Sequence, residues 1–390
     1  MKDRLISLDV FRGLTVALMI LVNNPGSWSH IYPPLRHASW HGWTPTDLVF
    51  PFFLFIVGVA MALSFSKRLE AGASQKDLVK KVVSRAAIIF GLGLFLNGFP
   101  FNIPLNAQMA ENFQFLDIFR RFGTIRIWGV LQRIAVCYLL AGLVIVLLKT
   151  TRQRILAGLG FLLIYEFFMR VPLVTGVGAG DFTLENNFIR HLDLWLFGEA
   201  HLYGGTGIPF DPEGFLSTFP AAVTTLAGFF MGEYLRKPID HGEKLVNLTV
   251  VGIIVTMLGH LMIPMEPINK QLWTVSYVVA MAGLAILVWV FSSWLIDVKG
   301  WRAWAKPAIV FGSNPLVVFV GSGLLGRIMY LVKTTNAEGQ IISIKTWMYT
   351  SIFVPLAGEL NGSLLFAITF ILFWLAILWG LYVKQIFVKI

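Results

Sequence analysis

The sequence predicts an all-α polytopic membrane protein of about ten transmembrane helices, with both termini cytoplasmic. Three observations predict it. Apolar residue types make up 56% of the 390 residues and charged types 13%, with a mean hydropathy of +0.73. Soluble domains carry about 25% charged residues, and half that charge cannot coat a surface of this size. The apolar residues gather into stretches of about 20, the length a helix needs to cross a bilayer. Finally, 20 of the 31 Lys and Arg residues fall in alternate, inner connecting segments, Lys2, Arg4 and Lys389 among them, and ten in outer ones. That bias is the one cytoplasmic loops carry.

The ten stretches are 10–24, 46–66, 82–99, 127–148, 153–172, 215–235, 246–264, 272–294, 306–331 and 363–384. In the first, the uninterrupted apolar run is short, and Asp9 and Arg12 precede it one helical face apart. Asn23-Asn24-Pro25 is no small-residue cleavage site, so the segment reads as a retained helix shielded by neighbours rather than a signal peptide. The second stretch opens on Asp47. The third follows a basic segment with Lys76, Lys80 and Lys81, and the fourth contains Gln132 and Arg133. Glu166 lies in the fifth and Glu233 near the inner end of the sixth. The ninth is interrupted by Asn314-Pro315. A further apolar patch, 347–357, is too short to span and reads as an interfacial or re-entrant piece. The whole chain, 1–390, reads as one transmembrane domain. Its long outer loop, 173–214, is of a length usually reserved for function or disorder.

Composition also excludes function classes. The net charge of +10 is dispersed in short clusters between apolar runs, leaving no basic face for nucleic acid. The one cysteine, Cys137, permits neither an intrachain disulfide nor a Cys-x-x-Cys site. The seven histidines form no HExxH-type pair, so no metal site is expected. Nucleotide-driven pumping and serine hydrolysis lack their glycine-rich and nucleophile-elbow motifs.

His37 stands out, in Arg36-His37-Ala38-Ser39-Trp40-His41-Gly42-Trp43, just ahead of the second stretch and 14 residues after Asn23. A short loop would bring a general-base candidate near an amide able to meet an oxyanion or orient the imidazole. A plain loop histidine at the interface, with Trp40 and Trp43 as belt aromatics, fits the same residues. Polar groups inside a bilayer are functional candidates by default. Here a purely structural pair, such as Arg133 with Asp47, competes with a functional role, and a buried arginine suits phosphate.

Taken together, Ser7-Leu8-Asp9-Val10-Phe11-Arg12-Gly13, Val22-Asn23, His37-Ala38-Ser39-Trp40-His41-Gly42 and Asp47-Leu48-Val49-Phe50-Pro51 form an ordered set. Gly129-Val130-Leu131-Gln132-Arg133, His201-Leu202-Tyr203, Asp211-Pro212-Glu213-Gly214, 269–277, 297–300 and 384–390 extend it over essentially the whole chain. The set resembles the heparan-α-glucosaminide N-acetyltransferase family, in particular bacterial relatives without the lumenal domain that precedes the Ser-Leu-Asp motif in lysosomal members. That resemblance implies an integral protein of the bacterial inner membrane. It would move acetyl from cytosolic acetyl-CoA to the amine of an extracytoplasmic amino sugar of glucosamine type, with no metal.

The resemblance puts the family's active histidine on His37, as general base or transient acetyl acceptor, and its partner on Asn23. Basic residues near the inner face, Arg12, Lys81 and Arg85, become candidates to hold the nucleotide end of acetyl-CoA. Arg133 and Asn314 become candidates to line the path of its arm. Trp40, Trp43, Asp47, Asp211 and Glu213 become candidates to contact the amino sugar or oligosaccharide. The expected partners are acetyl-CoA, the acceptor, membrane lipid and, by family analogy, a second copy of the chain. Ten spans, midplane polar groups and a proline-broken helix also suit an amino-sugar or related solute permease. A structural membrane partner explains the composition but not the ordered polar motifs.

Overall fold

A computed structural model describes residues 6–104, 114–171 and 179–388. Lys2, Arg4, Lys389 and Ile390, counted above among the basic residues and motifs, lie outside them. The long helices are α1 (Ile6–Asn23), α2 (Val49–Glu70) and α3 (Gln75–Gly98). A short α4 (Leu116–Arg120) precedes α5 (Val130–Leu147) and α6 (Thr151–Arg170). Then come α7 (Phe188–Phe197), α8 (Thr218–Leu235), α9 (His241–Leu261) and α10 (Val275–Ser293). The chain ends with α11 (Ala305–Ser313), α12 (Pro315–Leu331), α13 (Ile344–Met348) and α14 (Val354–Val383). A two-stranded antiparallel hairpin, Lys333–Thr335 with Ile341–Ser343, sits between α12 and α13.

Each of the ten apolar stretches coincides with helix. Among the described residues, six helical segments are long and apolar enough to cross a membrane, or seven if α11 and α12 count as one broken span. The chain is an integral membrane protein. The other three long helices, α3, α6 and α8, are diluted by Lys and Arg near their ends or by small and polar residues, which apolar periodicity alone does not penalise. Helix α3 also starts seven residues earlier than its apolar run, because Ser74 caps it and Asp77 completes a reciprocal capping box. Patch 347–357 is helical, and the break at Gly358, where φ is 76°, divides it from the long helix that follows. The patch runs from α13 through a π turn into the start of α14.

Helices α11 and α12 meet at Asn314 with a bend of 81°. The Asn314 amide holds the break: Nδ2 donates to the Ile386 carbonyl at 3.0 Å, and Oδ1 accepts from the Val388 N–H at 2.8 Å. The expected one-face pairing at the start of α1 is present, with Arg12 donating to Asp9 at 2.7 Å.

Inside a membrane, helices associate through close packing of small residues rather than through a water-driven force. The pairs α2 with α8 and α1 with α11 are built that way. A Cβ added at Gly58 would lie 1.8 Å from the Thr225 carbonyl oxygen, and one at Gly228 1.9 Å from that of Phe55. A Cβ at Gly13 would lie 1.7 Å from the Ala308 oxygen. Behind these contacts, Leu54, Leu131, Trp273, Tyr277 and Met281 form the central core, joining α2, α5 and α10.

The described part of loop 173–214 is ordered. Helix α7 is capped by the Asn187 side chain and buries Phe188 and Ile189 against Tyr165, Phe210 and Leu272. Asp193 is fully buried on this helix and accepts the Phe215 N–H at 3.1 Å.

Two predictions follow from the packing. Gly228→Val should lower the unfolding temperature of the detergent-solubilised protein, by an overpacking cost of about 1–3 kcal/mol. Gly91→Ala, where an added Cβ meets nothing within 4 Å, should leave the temperature unchanged or higher. Burial pushes the Asp193 carboxyl up to about 7, outweighing the Phe215 N–H that favours its charged form. The folded state therefore keeps a proton that the unfolded chain gives up near pH 4. Stability should fall as pH rises from about 4 to about 7, by at most about 4 kcal/mol. Asp193→Asn should flatten that slope in pH-resolved thermal denaturation.

Candidate active site

The loop between α1 and α2 carries the candidate histidine, and its geometry is set by one buried carboxylate. Asp47 sits in a 3-10 turn, Pro45–Leu48, that leads into α2. Its Oδ2 accepts the N–H groups of Ala38 and Thr44, each at 3.0 Å, and the Thr44 hydroxyl at 3.1 Å. Its Oδ1 lies 2.6 Å from His37 Nδ1. In the tautomer that directs Nδ1–H at the carboxylate, Nε2 is the ring nitrogen able to accept a proton, with Lys270 Nζ 3.4 Å from it. Tyr277, on α10, donates its hydroxyl to the Asp47 carbonyl at 2.6 Å, tying this turn to the central core.

Segment 268–274 clamps the loop from the other side. The Gly42 N–H donates to the Ile268 carbonyl at 2.7 Å, and Asn269 Nδ2 donates to the Trp40 carbonyl at 2.9 Å. The same segment delivers Lys270, whose Nζ lies 3.0 Å from His37 Nδ1 and 3.4 Å from Asp47 Oδ1. Burial pushes the Lys270 ammonium down, against the pull of Asp47.

His37, Asp47, Lys270, Trp40 and Asn23 line one cavity of about 370 Å³, together with Tyr203, Glu213 and Gln271. The indole N–H of Trp40 donates to the Phe182 carbonyl at 2.7 Å, which fixes the ring at the cavity edge. Arg126 lines the same cavity and is clamped by two carboxylates, Asp211 at 2.6 Å and Glu213 at 2.5 Å, with its guanidinium over the Tyr203 ring. Burial alone would lower its pKa, but the two carboxylates win and raise it.

Two further cavities continue from this one. A middle cavity, also about 370 Å³, shares Asn23, Arg126 and Val130 with the histidine cavity. A third, about 440 Å³, shares Met19, Leu131 and Phe319 with the middle one and is lined by Arg12, Arg68 and Arg85. Its wall also carries the apolar side chains of Phe53, Val57 and Ile89. Arg85 also stacks on Tyr138, 5.1 Å from the ring centre.

The sequence candidates divide accordingly. His37, Asn23, Trp40, Asp47 and Glu213 meet in the histidine cavity, and Arg12 and Arg85 in the arginine cavity. Asp211 is buried behind its ion pair with Arg126. Trp43 turns away to His260, its indole N–H 3.4 Å from Nε2. Lys81 is exposed on α3 and lines none of the cavities described. Arg133 is fully buried, faces the Gly214 carbonyl and the Ser217 hydroxyl, and stacks on Trp273. The structural pair of Arg133 with Asp47 is therefore absent: Asp47 belongs to His37, because the two share one short loop. Asn314 borders the arginine cavity through Ser313 and Pro315 but spends its amide on the C-terminal segment.

Sequence reasoning missed Lys270, Arg126 and Arg68 in these walls. Lys270 had a motif, Asn269-Lys270-Gln271, but its partner lies 233 positions away.

The fold and this site define a helical membrane protein in which an exposed His37 pairs with a buried Asp47, in a cavity that shares wall residues with its neighbour. A model of the heparan-alpha-glucosaminide N-acetyltransferase catalytic region matches residues 4–263, and the chain belongs to that family. It is similar to the heparan-alpha-glucosaminide N-acetyltransferase of Mus musculus, 28% identical over 377 residues, covering 83% of this chain and 54% of the mouse protein. It is likewise similar to that of Homo sapiens, 29% identical over 370 residues, covering 82% and 53%. The chain thus spans about half the length of these curated relatives. Both are named for an N-acetyltransferase, which is an acyltransferase activity.

Proposed function

We propose that this chain is a transmembrane N-acetyltransferase that carries acetyl from cytosolic acetyl-CoA to the amine of a glucosamine-type sugar on the far side of the membrane. The observation that carries the reading is the shared walls of the three cavities, which link Arg12, Arg68 and Arg85 at one end to His37, Asp47 and Asn23 at the other. In this reading the chain makes ten passes with both termini cytoplasmic, in a bacterial inner membrane, and the arginine cavity opens inward. The three guanidinium groups suit the phosphates of a nucleotide. The apolar wall beside them suits a thin pantetheine arm that brings the thioester toward His37.

The chemistry follows from the orientation of the imidazole. The sugar amine attacks the thioester carbonyl carbon while His37 Nε2 takes the amine proton. Asp47, already bonded to Nδ1–H, stabilises the imidazolium that forms. The carbonyl oxygen gains negative charge, which the Asn23 amide meets. The C–S bond then breaks, the amide is complete, and the departing thiolate takes up the proton. In the alternative order, His37 accepts the acetyl first and hands it to the amine. Trp40 offers a ring face to the sugar. A permease reading uses the same cavities but gives the His–Asp pair no task.

Purified protein with labelled acetyl-CoA should acetylate glucosamine or a glucosamine-ended oligosaccharide. His37→Ala should abolish transfer with the fold retained, and full activity in that variant would sink the assignment. Asp47→Asn should lower kcat by roughly 10²–10⁴-fold, and Asn23→Ala by roughly 10²–10³-fold. Arg68→Gln and Arg85→Gln should raise the KM for acetyl-CoA with little change in kcat. Trapping of acetyl-enzyme without acceptor would select the two-step order. Sugar uptake into liposomes without any acetyl-CoA turnover would replace the reading with the permease.

A further inference from the structure

Among the described residues, the carboxylates near the middle cavity neutralise only one of the three cations on its wall. Of the three cations on its wall, Arg126 is satisfied by Asp211 and Glu213. Arg327, on α12, and Lys345, on α13, have no carboxylate partner among the described residues. Lys345 is 8% exposed, and its ammonium lies between the rings of Trp28 and Phe366, at 5.9 and 5.8 Å. Enclosing a cation without a counter-ion is costly, so such groups are normally paired.

A second observation points into the same space. Gln132 is 1% exposed and lines this cavity, and its Nε2 has no hydrogen-bond partner among the described residues. Its Oε1 side is packed so tightly on α3 that a Cβ at Gly93 would lie 2.3 Å away. The wall therefore presents a guanidinium and an ammonium, and the unpartnered Gln132 amide N–H is buried directly behind it. An oxyanion supplies what all three lack.

We propose that the middle cavity, between α1, α3, α5 and α12, is an oxyanion subsite in which Arg327, Lys345 and Gln132 bind a carboxylate, sulfate or phosphate. The site adjoins the histidine cavity across Asn23 and Arg126, within reach of a group on the molecule whose amine meets His37. Assigning the oxyanion to the acceptor rests on the acetyltransferase reading; the anion site itself does not. A lipid headgroup phosphate entering from the membrane offers the same chemistry.

The test is calorimetric binding to the full chain in neutral-lipid nanodiscs, without acetyl-CoA, using glucosamine, glucosamine 6-phosphate and inorganic phosphate as probes. Glucosamine 6-phosphate should bind at least tenfold more tightly than glucosamine. Arg327→Gln and Lys345→Met should each remove most of that advantage, with Arg327→Lys restoring part of it. Repeating the titration in phosphatidylglycerol nanodiscs separates the sources. Unchanged sugar-phosphate affinity assigns the site to the acceptor, and competition sensitive to Arg327→Gln assigns it to the headgroup. The proposal is overturned if no anionic probe gains affinity that Arg327→Gln removes, or if that variant raises the KM for acetyl-CoA instead. Acetyl transfer to plain glucosamine, measured on the same preparations, tests the enzymatic reading separately.

Discussion

The buried carboxylate of Asp47 is the contact on which the candidate site depends. It is 1% exposed, yet it accepts two backbone N–H groups and a hydroxyl on one oxygen and contacts the imidazole and an ammonium at the other. A lone carboxylate in such surroundings would be prohibitively costly, and these partners are what make it tolerable. The arrangement does two jobs at once. It folds residues 37–47 into a tight loop, and it orients the His37 ring, with Lys270 Nζ 3.4 Å from Nε2.

That loop is held from both sides. The Tyr277 hydroxyl reaches the Asp47 carbonyl from the core of α10, while Asn269 and Ile268 bond its other edge. Trp40 is anchored to Phe182 in the described part of the long loop, so loop 173–214 supplies part of the cavity wall. Close glycine contacts between α2 and α8, and between α1 and α11, keep the supporting helices in register. Around this frame the protein leaves space rather than filling it. The neighbouring cavities combine arginines and apolar side chains in one, further cations in the middle one, and the His37–Asp47 pair in the last.

Much of this was legible in the primary structure. Apolar run lengths located every long helix, because hydrophobic length is a local property and a bilayer-crossing helix declares it in consecutive residues. The Asp9–Arg12 pair and the break at Asn314-Pro315 were legible for the same reason, since both depend on neighbours within one turn. Helix starts such as Ser74 were not, because a capping box is polar and an apolar pattern passes over it. His37 and Asn23 stood out by motif, and the short loop between them limits how far apart they can lie.

What the sequence by itself determined is therefore a membrane-embedded helical protein, its family motifs and the loop that carries His37. Only the tertiary structure decided the partners. Asp47 holds His37 rather than pairing with Arg133, Arg126 takes both Asp211 and Glu213, and Lys270 arrives from a segment more than two hundred residues away. It also decided which cations have no carboxylate partner among the described residues: Arg68, Arg85, Arg327 and Lys345 look alike in sequence to basic residues that merely face solvent. The physical reason is that charge pairing and cavity formation depend on which faces of distant helices meet. That is a matter of packing, which hydrophobic pattern along a single helix does not encode.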